Sequence, residues 1–324
     1  IGGTEATVSV LGLGGAPLGG NFVDLDDHQA AEVVSAAVKS GITYFDTAPW
    51  YGFGRSERTV GNGIRGKSMT ISTKVGRILK PGSVLDPENY GMVNPLPFYP
   101  IYDYSYDGIM RAFEDSLQRL GLDQVDILLV HDIGTFQHGS ENKKHFEELK
   151  KSGYTAIDEL RRNKNIKAVG LGVNENEVCI DALQFGSWDV FLLAGRYTLL
   201  EQTSLDKLFP QCRNTNTSII CAGPFNSGVL VGRDMWNYAN APKAVLQKVK
   251  LLQQVANDHR VSLPAAALQF PLANSIVSSV IPGPRSTDEF NQILSWFSEK
   301  IPEEFWMDLK SKTLIDERAP TPTS

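Results

Sequence analysis

Three observations predict an α/β chain that closes as a (β/α)8 TIM-type barrel with long loops on its C-terminal face. Short apolar runs alternate with stretches of helical periodicity over all 324 residues, a rhythm that amounts to about eight βα units. Several runs are nearly all apolar, as in Val125-Asp126-Ile127-Leu128-Leu129-Val130, which fits strands buried on both faces. No composition break divides the chain, so 1–324 reads as one barrel domain, with a Pro/Thr-rich tail at 319–324 expected to fray. A doubly wound sheet is the alternative, and the unbroken rhythm argues against it.

Taken in order, Val10–Leu13 reads as the first strand and Asp27–Ser40 as the first helix. Ile42–Asp46, Met69–Val75, Val125–Val130, Ala168–Val173, Val190–Leu193, Ser218–Cys221 and Ser278–Ile281 read as the remaining strands. Helical periodicity marks Glu57–Ile64, Tyr106–Leu120, Glu147–Arg162, Glu177–Leu183, Ser204–Cys212, Ala244–His259 and Asp288–Phe297. Two long connections follow strands and so fall on the C-terminal face, where barrel active sites sit. Gly76–Ser105 contains Tyr90, Tyr99, Tyr102 and Tyr104, and Gly223–Pro242 contains Trp236 and Tyr238. Loops this long are functional or disordered, and aromatic richness favours the walls of a pocket.

Composition removes several function classes. A net charge of -6, with no Lys/Arg run longer than two, leaves no basic stripe for nucleic acid. No apolar run approaches the roughly 20 residues of a membrane span, so no membrane partner is expected. Cys179, Cys212 and Cys221 show no metal spacing; they read as buried small hydrophobes in a reducing compartment, and no metal is expected. With no basic segment leading into an apolar one after Ile1-Gly2-Gly3, the expected location is cytoplasmic. The expected partner is a small molecule, and the chain a monomer or small homo-oligomer.

The chemistry gathers at strand ends. Tyr44-Phe45-Asp46 ends a strand in a carboxylate, and Tyr51 follows five residues later. The next strand ends near Lys74, and the one after it in His131-Asp132. Ionisable residues are poor strand formers and costly inside a barrel unless paired. Singly, each has a bland structural explanation: the Asp as a cap, the Lys as a solvated charge, the His and Tyr as structural residues. Their recurrence at the same end of neighbouring strands is better explained by one shared site. A phenol titrates near 10, and a neighbouring ammonium is expected to lower that value. A carboxylate would hold the ammonium, and a His would bond the same substrate oxygen. Such a set suits proton exchange with a substrate oxygen coupled to chemistry at its carbon.

Phe45-Asp46-Thr47-Ala48-Pro49-Trp50-Tyr51-Gly52, Ser72-Thr73-Lys74 and Leu129-Val130-His131-Asp132 resemble the tetrad segments of the aldo-keto reductase family, over about Val8 to Phe297. The resemblance implies an (α/β)8 barrel, a nicotinamide cofactor bound without a Rossmann domain, and Asp46, Tyr51, Lys74 and His131 as the catalytic tetrad. It further implies Gly14 and Gly15 beside the nicotinamide and Asn174 on its carboxamide. Gly223, Phe225, Ser227 and Gly228 would wrap the pyrophosphate, and Ile281, Gly283, Pro284, Arg285, Ser286 and Glu289 would hold the adenosine. Ala16, Trp50 and Asp132, with the tyrosines of the 76–105 loop, would line the substrate pocket.

Three positions depart from the family pattern. Glu175 follows Asn174, Ala194 stands where a Gln is usual, and Ala222 replaces the aromatic that commonly stacks on the nicotinamide. Gly283 stands where many NADP-preferring relatives carry Lys, and Arg285 is the only cation in its segment. NAD is therefore expected, with NADP the alternative. The same runs are similar to a branch that oxidises cyclic hemiacetals to lactones, the substrate being pyridoxal or an aldose such as L-fucose, L-galactose or D-arabinose. A general NADPH-dependent aldehyde or ketone reductase and a non-catalytic cofactor-binding subunit are the alternatives.

Overall fold

Among residues 1–323, those that the computed structural model describes, twelve strands form in chain order. They are β1 (Leu13–Gly14), β2 (Tyr44–Asp46), β3 (Thr70–Val75), β4 (Arg77–Pro81), β5 (Phe98–Tyr102) and β6 (Ile127–His131). Then come β7 (Ala168–Val173), β8 (Val190–Ala194), β9 (Ser218–Ala222), β10 (Met235–Trp236), β11 (Ala239–Asn240) and β12 (Val277–Ile281). Eight of them make one parallel sheet in the order β1-β2-β3-β6-β7-β8-β9-β12. The ends meet: Leu11 bridges Val280, Gly12 N donates to Val280 O at 2.9 Å, and Gly14 N donates to Pro282 O at 2.9 Å. The result is the expected (β/α)8 barrel.

Strand alternation builds its interior. Tyr44, Ile127, Leu129, Ala168, Val190, Leu192, Ile220 and Ile281 fill the barrel, and Ala6 packs against them with Ile1 and Val8 alongside. The intervening side chains, such as Phe45, Leu128, Val130 and Phe191, face outward into the larger core under the helices. Those helices are locally encoded. Asp26 and Gln29 form a reciprocal capping box on Asp27–Lys39. Ser105 caps Tyr106–Leu120, which stops at Gly121 with φ 63°.

Four local readings are corrected. The first strand is Leu13–Gly14 rather than Val10–Leu13, since Val10 is exposed and Gly12 lies so close to the Tyr44 ring and Ile281 that a Cβ would meet them at 2.7 and 2.8 Å. The helix expected at Glu147–Arg162 is present but begins earlier, at Asn142, and passes through a π turn over Leu149–Gly153 before Tyr154–Arg162. At Gly153 a Cβ would sit 2.1 Å from Tyr104 O. The helix expected at Ser204–Cys212 spans Leu208–Thr215, because Pro210 is tolerated only in a first turn. Ala319, expected to open a frayed tail, is fully buried and its N–H bonds Asp316 O at 3.0 Å; Ser324 lies outside the described residues. Helices Leu263–Gln269 and Glu303–Ser311 are additional.

Neither long connection is structureless. The first holds the antiparallel hairpin β4–β5, with Arg77 opposite Tyr102. The second holds β10–β11, whose two-residue tip, Asn237 and Tyr238, has φ 48° and 64°, the backbone of a tight primed turn. All three cysteines are buried and free, as expected. No helix among the described residues is long and apolar enough to cross a membrane.

Candidate active site

The alternation that fills the barrel also places its ionisable residues. With Tyr44, Ile127 and Leu129 inside, Asp46 and His131 face the interior one layer higher, toward the C-terminal mouth. Lys74 joins them from β3, and its Nζ donates to Asp46 Oδ2 at 2.7 Å and to Thr47 O at 2.9 Å. Ser72 Oγ donates to Asp46 Oδ1 at 2.7 Å and accepts from Tyr44 Oη at 2.9 Å. The glycine at 172 makes room: a Cβ there would stand 3.1 Å from Lys74 Cε. Both ions of the Lys74–Asp46 pair are almost free of solvent, so each depends on the other for compensation.

Tyr51 stands on the loop after β2. Gly19 and Gly52 pack there backbone to backbone, and a Cβ on Gly19 would meet Tyr51 C at 2.3 Å. The Lys74 ammonium lies over the Tyr51 ring, 4.7 Å from its centroid. The His131 ring meets it edge-on at 5.8 Å. Lys74 thus gives two of its three N–H donors to Asp46 and Thr47 and sets its charge over the face of the Tyr51 ring. The expected lowering of the phenol's pKa does not occur. Burial, then the charges of Asp46 and Asp132, hold Tyr51 well above 10, and Arg77 is the cation that opposes them. His131 shifts the other way: burial first, then Arg77 and Lys74, press it well below the usual histidine range, so it is neutral at pH 7. Its Nε2 is 3.4 Å from Asp132 Oδ2, and its Nδ1 is buried with no partner.

Arg77 was not foreseen. It opens β4 just past the Lys74 strand and is 1% exposed. It donates to Asp132 Oδ2 at 2.8 Å, and its guanidinium lies 4.6 Å from the Trp50 ring centroid and 5.4 Å from that of Tyr102. Asp132 itself has φ 47°, a conformation non-glycine residues rarely adopt. Its second oxygen accepts from Asn174 Nδ2 at 3.3 Å. Trp50 also packs on Phe53 and Tyr90. Tyr104 donates to His131 O at 2.9 Å and pairs with His138 Nε2 at 2.8 Å. Tyr99 is the exception among the loop tyrosines, since it lies on the opposite face of β5 from Tyr102.

The residues expected to hold a cofactor share the same end of the barrel. Gly14 ends β1 and Gly15 and Ala16 follow it, and Gly15 N donates to Asp46 O at 2.8 Å. Asn174 follows β7, and its Oδ1 accepts from Tyr238 Oη at 3.1 Å. After β9, Gly223, Ser227 and Gly228 all have positive φ (58°, 62° and 106°). The Phe225 ring packs on Trp296 at 5.6 Å. The Ile281 side chain fills the barrel and Pro284 is buried, so these two present backbone rather than side chains. Ser286 caps helix Thr287–Ser298 by accepting from Glu289 N at 3.1 Å. Glu289 in turn accepts from Arg285 N at 2.9 Å and Nε at 3.0 Å, and from Arg233 NH2 at 3.0 Å. Arg285 is therefore not alone: the loop after β9 brings a second cation.

Glu175 finds its place in capping. Its carboxylate accepts from Thr135 Oγ1 at 2.7 Å and Phe136 N at 2.9 Å, closing the short helix Thr135–His138. Ala194 and Ala222 leave the ends of β8 and β9 without an aromatic or amide. The tip of β10–β11 brings an aromatic to the same mouth: Tyr238 bonds Asn174, stacks on Phe22 at 6.0 Å and tilts against Phe136 at 6.5 Å. Buried and unpartnered Arg196 Nε and Asn226 Oδ1 follow β8 and β9. Together with glycine turns and a capped helix start, they fit a polar, phosphate-bearing ligand.

Fold and site together define an oxidoreductase that handles a hydroxyl or carbonyl carbon with a nicotinamide, and the chain belongs to the Aldo/keto reductase family, whose model matches residues 10–313. It is 42% identical to pyridoxal 4-dehydrogenase of Microbacterium luteolum, over 97% of each chain. It is 33% identical to D-threo-aldose 1-dehydrogenase of a Pseudomonas species, over 97% of this chain and 96% of that one. The fold matches an aldo-keto reductase of Bacillus halodurans in its holo form with a TM-score of 0.75 at 22% identity, covering 98% of this chain and 97% of that one.

Proposed function

We propose that this chain, as one barrel domain over 1–324, oxidises the anomeric carbon of a cyclic hemiacetal to a lactone. The observation that carries the reading is the convergence of the Tyr51 ring, the Lys74–Asp46 pair and a neutral His131 at the barrel mouth. Similarity to pyridoxal 4-dehydrogenase and D-threo-aldose 1-dehydrogenase supports pyridoxal or an aldose as substrate. Both offer the same reacting unit, a ring carbon bearing one hydrogen and one hydroxyl.

The residues act as follows. Tyr51 Oη, as phenolate, takes the proton of the anomeric hydroxyl. The C–H electron pair leaves that carbon as hydride, the C–O bond becomes a carbonyl, and the ring oxygen stays in place, which gives the lactone. The oxidised nicotinamide supplies the hydride acceptor when bound. Neutral His131 bonds the same oxygen, and Lys74, fixed by Asp46, sets a positive charge on the face of the Tyr51 ring. The turns at Gly14–Gly15, the Asn174 amide, the 223–228 loop and the 281–289 segment hold the cofactor. NAD is the cofactor of choice, because Glu289 already occupies Arg285 and Arg233, the cations a 2′-phosphate would need.

Carbonyl reduction with NADPH is a second reading, and one observation favours it: Tyr51 is held protonated, as a proton donor should be. Initial rates of NAD-linked pyridoxal and L-fucose oxidation, set against NADPH-linked reduction of simple aldehydes, separate the two. Tyr51→Phe tests the mechanism in either direction. It should cut turnover by roughly 10²–10⁴-fold while cofactor binding stays close to normal. A loss of less than about tenfold removes Tyr51 from the acid/base role.

A further inference from the structure

Arg77 is the least explained group at the barrel mouth. Its side chain is 1% exposed, yet only NH2 has a partner; Nε and NH1 are both buried and bonded to nothing in the protein. Leaving buried guanidinium donors unmade is costly, and native interiors rarely do so without a ligand to receive them. If holding Asp132 were the whole task, one N–H would meet it.

The surroundings narrow what the ligand can be. The Trp50 and Tyr102 rings lie over the guanidinium at 4.6 and 5.4 Å. Its free donors, Nε–H and NH1–H, lie in its own plane on different edges, so each suits a separate oxygen acceptor. Asp132, which it grips, stands 3.4 Å from His131 Nε2, and His131 meets the Tyr51 ring. The guanidinium is thus one carboxylate away from the groups assigned to the reacting oxygen.

We propose that Arg77 is a specificity-determining residue of this site, one of its two free donors, Nε or NH1, binding a hydroxyl or phenolate oxygen carried beside the carbon being oxidised. In pyridoxal that oxygen is the ring phenolate ortho to the reacting group, and in an aldose it is the 2-hydroxyl. The assignment rests on the hemiacetal reading above and adds to it which feature of the substrate is required. A plain hemiacetal that lacks the neighbouring oxygen leaves that donor unfilled.

The test is a ratio. NAD-linked kcat/KM is measured for pyridoxal against 3-deoxypyridoxal and for L-fucose against 2-deoxy-L-fucose, in the wild type, Arg77→Gln and Arg77→Lys. In one pair the wild type should favour the oxygen-bearing member by about 10- to 100-fold, and in Arg77→Gln that ratio should fall to within about threefold. Arg77→Lys keeps the charge without the planar fork and should give an intermediate ratio. The pair that responds identifies the source of the oxygen. Equal losses on both members of each pair would mean that Arg77 acts only through Asp132, and would overturn the assignment. A wild-type ratio near one in both pairs overturns it too, whether or not the variants fold. If the wild type oxidises none of the four, hemiacetal oxidation fails instead. Arg77 then stands or falls on the same ratio for reduction of 2-hydroxypropanal against propanal.

Discussion

Tyr51 is under two opposing demands. Oxidation needs its phenolate, whereas burial and the charges of Asp46 and Asp132 hold the phenol's pKa well above 10. Below its pKa a base gains roughly tenfold in its active form per pH unit. The sign follows: Tyr51 is a proton donor at pH 7, ready for reduction, and its capacity as a base grows as pH rises. Log kcat/KM for oxidation should therefore climb with a slope near one through the neutral range, while reduction stays nearly flat. A positively charged nicotinamide bound nearby would shift the curve to lower pH without reversing it. Steady-state rates in both directions check this, and an oxidation profile already level below about pH 8 would mean that some other group takes the proton. Lys74 acts on the phenol through its charge over the ring, since two of its three N–H donors go to Asp46 and Thr47.

Cofactor choice belongs to two elements, the loop after β9 and the start of helix Thr287–Ser298. Glu289 joins them by holding Arg285 and Arg233 at once. Glu289→Gln keeps the shape but frees both guanidinium groups for a 2′-phosphate. The NADP:NAD ratio of kcat/KM should rise by at least about tenfold, the worth of one charge-assisted bond. No change in that ratio would show that the pair of arginines lies away from the adenosine ribose. The same junction marks where sequence reading stops. Asp46, Lys74 and His131 were legible because ionisable residues at strand ends break an apolar pattern. Arg233 was not, since its partner is 56 residues away. Arg77 was hidden likewise: it meets Asp132 at a separation of 55 residues, within a connection whose Pro81, Pro97 and Pro100 read as breakers rather than as a hairpin. The barrel strands were legible in type and order, but β1 was not legible in extent. There the glycines serve close packing, and pairing comes from β2 on one side and the closure onto β12 on the other, which no local pattern encodes.

Across the whole molecule, the site's electrostatics bear on stability as well as on turnover. His131 is pressed well below the usual histidine range by burial, Arg77 and Lys74. His138 is lowered to about 4 by burial, then by His145 and Arg77. The two are linked through Tyr104, which donates to the backbone of one and pairs with the ring of the other. Groups facing them include Asp132 beside His131 and Tyr102 beside His138. For both, the fold prefers the neutral ring, and the unfolded chain, titrating near 6.5, binds the extra proton first. Stability from these two residues is therefore complete above about pH 6.5 and declines as pH falls toward the folded-state values. Carboxylates titrate near 4, so between about pH 6.5 and 5 the loss is mainly a histidine effect. Denaturation midpoints should drop over that interval in the wild type, and the drop should shrink in the double variant His131→Asn/His138→Gln, whose replacements cannot take up a proton. Parallel curves for the two proteins would assign the acid limb to other groups and leave the barrel mouth without a part in it.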